Sequence, residues 1–163
     1  VVTGDIIAKN AYEWSKATES PLAQAAVRGA EKITIRPLLG HSGKAVKLPK
    51  GASLSYDFYS DKSGDARFTL AAIPCFQNAV KNMRVSVSID RGEPVICQLK
   101  EVYNSKDWKF DLWRGQTLKS FYVTLPDGSH NVTIKALDDN VMIDQWVLDY
   151  DVDREYYVFP VAK

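Results

Sequence analysis

From Lys32 onward the chain is written in short runs whose apolar residues fall at every second position. Ile33 and Ile35, Ala45 to Leu48, Leu54-Tyr56-Phe58, Phe68-Leu70-Ala72, Val85-Val87-Ile89, Val95-Cys97-Leu99 and Phe121-Val123-Leu125 follow this rule. A period of two is the pattern of strands with one face in a core. Turn residues separate the runs: Gly40 and Gly43, Pro49 to Gly51, Lys62 to Asp65, Arg91-Gly92 and Pro126-Asp127-Gly128. Short strands punctuated at this spacing predict an all-β sandwich or barrel. Asp127-Gly128 is itself a hairpin signal.

Two further strands close the pattern between Asn131 and Asp151, joined by an Asp138-Asp139-Asn140 turn. In the first, Val132, Ile134 and Ala136 alternate with Thr133, Lys135 and Leu137. The second is apolar on both faces, with Met142, Trp146 and Leu148 on one side and Val141, Ile143 and Val147 on the other. It is therefore expected to lie centrally, with Trp146 in a core or an interdomain contact. Asp144 and Gln145 interrupt it with polar groups that need partners if buried.

Before Lys32 the reading is a short strand at Asp5 to Ala8, then a helix over Leu22 to Arg28 with Ser20 as its N-cap and Pro21 at its first position. Glu101 to Gln116 has no strand alternation but carries Tyr103, Trp108, Phe110 and Trp113, and reads as a long loop or short helix. An ordered loop of that length inside a compact domain is more often functional than a short one.

At 163 residues the whole chain, 1–163, is expected to be one domain with a self-sufficient core, and a C-terminal fragment of a larger multidomain protein. With 21 basic and 20 acidic groups there is no field to draw in a polyanion, which argues against nucleic acid as a partner. No window has the apolar length of a membrane span, and the start Val1-Val2-Thr3-Gly4 lacks the order of a signal peptide. Cys75 and Cys97 have no metal-ligand spacing; Cys97, alternating with Val95 and Leu99, reads as a small buried hydrophobe in preference to one half of a bridge to Cys75.

Catalytic constellations are missing. His41 lies in the Gly40 to Gly43 turn and His130 just before a strand, and both read as surface or turn histidines. Gly40-His41-Ser42-Gly43 lacks the G-x-S-x-G spacing of a nucleophile elbow. Asp138-Asp139 and Asp149-Asp151-Asp153 read as solvated loop acids, since no glycine-bearing loop with full calcium-ligand spacing accompanies them. Asn131-Val132-Thr133 fits a glycosylation sequon, of which a bacterial-looking chain would make no use. Neither a metal nor a cofactor is expected.

Leu39 to Val46, Leu54 to Tyr59, Val85 to Asp90, Ser129 to Ile134 and Val141 to Asp149, taken in order, resemble the C-terminal domain of glycoside hydrolase family 115 enzymes. The resemblance covers most of the chain after Lys32. Those enzymes are α-glucuronidases that release glucuronic or methylglucuronic acid from xylan. Their C-terminal domain is a β-sandwich similar to carbohydrate-binding modules of families 6 and 35, and the catalytic residues lie elsewhere. The resemblance thus implies a jelly-roll-like antiparallel β-sandwich, galactose-binding-domain-like, with one or two short helices. It also implies an accessory domain rather than an enzyme, secreted or periplasmic, with the rest of its parent chain as partner.

Two departures stand out. The family's first strand commonly reads I-E-A-E, with glutamates that help hold a structural calcium; here it is Ile6-Ile7-Ala8-Lys9, and an ammonium opposes a cation. Asp144 is left in the place of a closing ligand. The tail Asp151 to Pro160 also lacks the family's glycine pair.

In sandwiches of this sort a sugar site forms at one end, from a loop after an early strand, a long middle loop and the turn before the last strand. Here these are His41-Ser42, the Tyr103 to Trp113 loop and Asp138 to Asn140. Trp108 and Trp113, with Tyr103, offer faces on which a pyranose stacks; Asp139, Asn140 and His41 offer polar contacts. Lys106, Lys109 or Arg114 would answer a uronate. Against this stands packing: each tryptophan can simply pin the loop, and Asn140 suits a turn that needs a left-handed residue. Two functions remain open. One is a module that binds plant polysaccharide. The other is a structural domain that packs on a neighbour or forms a homodimer through Trp14, Tyr156, Tyr157 and Phe159.

Overall fold

The computed structural model describes residues 6–38, 42–73, 82–99 and 117–154. Eleven strands and one short helix lie in them: β1 (Ile6–Asn10), β2 (Lys16–Thr18), α1 (Pro21–Gln24), β3 (Thr34–Pro37), β4 (Lys44–Leu48), β5 (Ser53–Ser60), β6 (Gly64–Ala72), β7 (Arg84–Ile89), β8 (Val95–Gln98), β9 (Thr117–Leu125), β10 (Gly128–Ala136) and β11 (Val141–Asp149). They form two antiparallel sheets. One runs β3-β4-β11-β6-β9, with β1 also on β11; the other runs β2-β5-β10-β7-β8. Among the described residues no helix is long and apolar enough to cross a membrane.

Most of the alternating runs became strands with their apolar faces turned inward, although Ile35 on β3 and Val95 on β8 are exposed. Leu54 and Tyr56, Val85 and Val87, and Val132, Ile134 and Ala136 come from one sheet, Phe68 and Leu70 from the other, and all meet in a single core. Consecutive strands pair only at β3–β4 and β7–β8; elsewhere the chain crosses between sheets, as in a jelly roll. The Asp127-Gly128 hairpin expectation is corrected by this. Gly128 has the positive φ of such a turn, 120°, but β9 pairs with β6 while β10 pairs with β5 and β7. Turn chemistry sets a reversal of direction and leaves the pairing partner open.

β11 lies centrally, as its doubly apolar pattern predicts, yet its faces are not those of a uniform period of two. Opposite β6, residues Ile143 and Gln145 face Ala72 and Ala71, so Asp144 is an extra residue, a β-bulge. The bulge resets the phase. Val141 and Ile143 before it and Trp146 and Leu148 after it all enter the same core, while Val147 joins Ile6 and Ala71 on the opposite face. Trp146 is fully buried, stacked on Phe68 and edge-on to Tyr56 and Phe58. Trp14 is half-buried and packs on this core, while Tyr156, Tyr157 and Phe159, expected beside it in a docking patch, lie outside the described residues.

The bulge also marks a fork. β6 holds one edge of β11 along both stretches, and the other edge is shared: β4 pairs with Val141 to Ile143 and β1 with Gln145 to Asp149. Both polar interruptions of β11 find partners there. Asp144 Oδ1 accepts the Ser42 N–H at 3.1 Å and the Ser42 hydroxyl, and Gln145 donates to Asn10 Oδ1 at 3.1 Å.

Three smaller expectations change. The helix stops at Gln24 instead of Arg28, because Ala26 takes φ 55° and turns the chain away; its cap is as predicted, with Ser20 Oγ accepting from the Ala23 N–H at 3.2 Å. β2 was invisible in the sequence, being three exposed residues that exist only by pairing with the edge of β5. Asp149 is fully buried rather than solvated, and its carboxylate meets Arg154 Nε at 3.1 Å. Arg67 reaches the carbonyls of Val152 and Arg154, so two arginines fasten the segment after β11 to the sheet. Cys97 is buried, as its alternation implied, and is a free thiol whose pKa burial raises; Cys75 lies outside the described residues.

Candidate functional site

A cleft of about 680 Å³ opens at one end of the sandwich, where four pieces of chain meet, one of them Gly29 to Glu31 beyond α1. Asp139 and Asn140 come from the β10–β11 turn, Pro49 to Gly51 from the β4–β5 turn, and Ser20 to Leu22 from the start of α1. Asn140 adopts φ 65°, the left-handed conformation its residue type tolerates. Asp139 Oδ1 accepts the backbone N–H of Lys50 at 3.1 Å, which ties two of the turns together. Gly51 joins the third. It has φ 89°, and a β-carbon there would stand 2.8 Å from Cδ of Pro21, so only glycine lets the turn lie against α1.

A bidentate ion pair steadies this end. Arg84 Nε and Nη2 donate to the two carboxylate oxygens of Asp138 at 2.9 and 3.1 Å, and the Arg84 N–H adds a third bond at 2.9 Å. The bond from Arg84 holds the Asp138 carboxyl below its ordinary pKa. Arg84 pairs with Gln98 in β8, and Leu99 bonds Met83. Thr117, where the chain re-enters, pairs with Ala72, which in turn faces Ile143. Both anchors of the segment 100–116 therefore lie at the end of the sandwich that carries the Asp138 to Asn140 turn.

Of the residues singled out from sequence, Asp139 and Asn140 line this cleft. His41, Tyr103, Trp108 and Trp113 lie outside the described residues, as do Lys106, Lys109 and Arg114. Ser42, expected beside the turn, is engaged instead with Asp144 at the fork. Sequence reading did not assign Lys50, Pro21 or Leu22 to the site. Their signal was present as the Pro49 to Gly51 turn and the Ser20-Pro21 cap, but nothing local told that the two would touch.

The structural calcium of the fold family does not fit this donor set. Ile7 packs on the core and Lys9 stands opposite Trp146 on β1, where acidic side chains would be needed. The remaining carboxylate, Asp144, is occupied by Ser42. Among the described residues no group of three or more His, Cys, Asp or Glu side chains is arranged to hold a metal.

A second cleft, of about 630 Å³, lies toward the other end of β10 and includes His130. His130 is not a surface histidine: it is 8% exposed. Its Nδ1 lies 2.5 Å from an oxygen of Asp90 and its Nε2 lies 2.6 Å from the Pro126 carbonyl. Both neighbours can accept, an arrangement that favours the ring carrying a proton on each nitrogen. Burial works against the charge, but the bonds to Asp90 and Pro126 outweigh it and raise the pKa above 6.5.

The model of the family described as the glycosyl hydrolase family 115 C-terminal domain matches residues 9–162. No curated protein matches. Among solved structures, BtGH115A, a family GH115 4-O-methyl-α-glucuronidase with specificity for decorated arabinogalactans, is similar at TM-score 0.65 and 25% identity, over 83% of this chain and 17% of that one. A family 35 carbohydrate-binding module from Clostridium thermocellum is similar at TM-score 0.59 and 13% identity, over 87% of this chain and 97% of the module. The C-terminal CBM6 of LamC from Zobellia galactanivorans gives TM-score 0.57 and 16% identity, over 88% and 98%. The chain thus spans a small part of the enzyme it matches and nearly all of each isolated module.

Proposed function

The chain belongs to the family of glycosyl hydrolase family 115 C-terminal domains, and from that premise we propose that it is a non-catalytic carbohydrate-binding domain of its parent hydrolase. Its ligand is a xylan-type plant glycan bearing glucuronic acid, and the parent is an exported bacterial enzyme. The observation that carries this reading is the meeting of Asp139 and Asn140 with Lys50 in one cleft, at the end of the sandwich from which the chain leaves at Leu99 and returns at Thr117. Trp108, Trp113 and Tyr103 lie between those anchors in sequence and supply the stacking faces, with His41 as a further polar contact. Asp139 and Asn140 take paired hydrogen bonds from sugar hydroxyls, and Lys50 offers an ammonium to a uronate.

The test is a titration of this chain with xylo-oligosaccharides and with glucuronic acid, followed by tryptophan fluorescence. Saturable binding is expected, weakened by Trp108→Ala and by Asn140→Gly. The glycine variant keeps the left-handed turn and removes only the amide, so it separates folding from binding. No saturable change at millimolar sugar would sink the reading.

A further inference from the structure

The second cleft has a chemistry of its own. On the outer face of the sheet that holds β5 and β10, Tyr59 pairs with Ser129 and Asp57 with Asn131. Tyr59 is 68% exposed, a large aromatic side chain open to solvent between Asp57 and Asp61 on its face of the chain. Asp57, Asp90, Ser129 and Asn131 line the same cleft. Its volume falls within the range of roughly 300 to 1,000 Å³ usual for small-ligand sites.

These polar groups are held in place before any ligand arrives. Asn131 Nδ2 donates to Asp57 Oδ1 at 2.8 Å and to Ser55 Oγ at 2.7 Å, and Thr133 Oγ1 donates to the Asn131 amide oxygen at 3.1 Å. Asp90 is fixed from two sides, by the His130 ring and by the Asn131 N–H at 2.8 Å. It also sits in a turn where it and Arg91 both have positive φ, 53° and 58°, a conformation non-glycine residues adopt at a cost. An exposed phenol beside fixed carboxylates is the arrangement that takes a pyranose, whose C–H face stacks and whose hydroxyls donate.

We propose that this cleft is a second carbohydrate site, in which Tyr59 is the platform, Asp57 and Asp90 accept sugar hydroxyls, and the sugar is uncharged. Charge decides the last point. Among the described residues two carboxylates line the cleft and no lysine or arginine does, and the His130 ring is already bonded to Asp90. A uronate would meet repulsion without an answering cation. The site stands independently of the Asp139 cleft, roughly 20 Å away along β10.

Chemical-shift mapping of this chain with neutral xylotriose, neutral β-1,3-galactotriose and glucuronic acid tests it. At least one neutral trisaccharide is expected to shift Tyr59, Ser129 and Asn131, and glucuronic acid is not. Tyr59→Ala, at an exposed position, weakens that binding by on the order of tenfold, Tyr59→Phe retains it, and Asp139→Asn leaves it untouched. Unmoved Tyr59 signals at millimolar neutral sugar, equal affinity in Tyr59→Ala, or stronger binding of glucuronic acid at these residues would each overturn the proposal. Loss of binding in Asn140→Gly alone would concern the first site only.

Discussion

The carboxylate of Asp144 accepts both the backbone N–H and the hydroxyl of Ser42, a residue 102 positions earlier in the chain. At the same point the Asp144 carbonyl accepts the Ala11 N–H at 2.9 Å. One residue therefore joins the β4 side of the fork to the β1 side, and the bulge that turns Trp146 inward is pinned from both.

Ser42→Ala should cost about 1–2 kcal/mol, because a hydrogen bond to a buried acceptor is lost while the backbone bond remains. Asp144→Ala should cost more than Ser42→Ala, and Asp144→Asn should fall between, since an amide oxygen still accepts. Urea unfolding midpoints at constant slope measure the order; a neutral Ser42→Ala would show that the clasp adds nothing.

Calcium should not stabilise the domain. With Ile7 and Lys9 on β1 and Asp144 engaged by Ser42, the described residues offer no oxygen cage for the cation. Thermal unfolding in excess chelator and in millimolar calcium should superimpose. A calcium-dependent rise in midpoint, abolished by Asp144→Asn, would restore the metal.

Stability should have a two-sided pH profile. The folded pKa of His130 is above 6.5, so the stability its charge contributes is fully present below 6.5 and is lost as pH rises through the folded value. The folded pKa of Asp138 is below 3.8, so its contribution is present above 3.8 and is lost as pH falls through the folded value. His130→Gln should flatten the alkaline limb and Asp138→Asn the acid limb. Urea midpoints across pH, with an NMR titration of the His130 ring, check both.

Gly51→Ala should lower stability by roughly 1–3 kcal/mol, since it adds a side chain at φ 89° and drives it into Pro21. Oligosaccharide binding should weaken along with it if α1 forms a wall of the Asp139 cleft. Wild-type stability in this variant would mean that the turn and α1 do not pack as described.

How far the sequence could be read differs between neighbouring residues. Val132, Ile134 and Ala136 were assignable to the core because β10 keeps an unbroken period of two from one end to the other. Val141 and Ile143 were assigned to the wrong face, because a single inserted residue inverts everything on one side of it and leaves no mark in composition. His130 looked like a strand-end histidine; its charge follows from Asp90 and Pro126, and of these Asp90 is 40 residues away. Asn140 was legible as a left-handed turn residue, since that preference belongs to the residue itself.

The sequence by itself determined the strands other than β2, most of their buried faces and the turns between them, because side-chain alternation and turn preference are local properties of the chain. Tertiary structure alone decided which strands pair across the two sheets, where β11 bulges, that Ser42 meets Asp144, and that Asp139, Lys50 and Pro21 share a cleft. Each of these is a contact between residues far apart in sequence, and its partner is selected by packing and by the need to satisfy buried polar groups, neither of which a local pattern encodes.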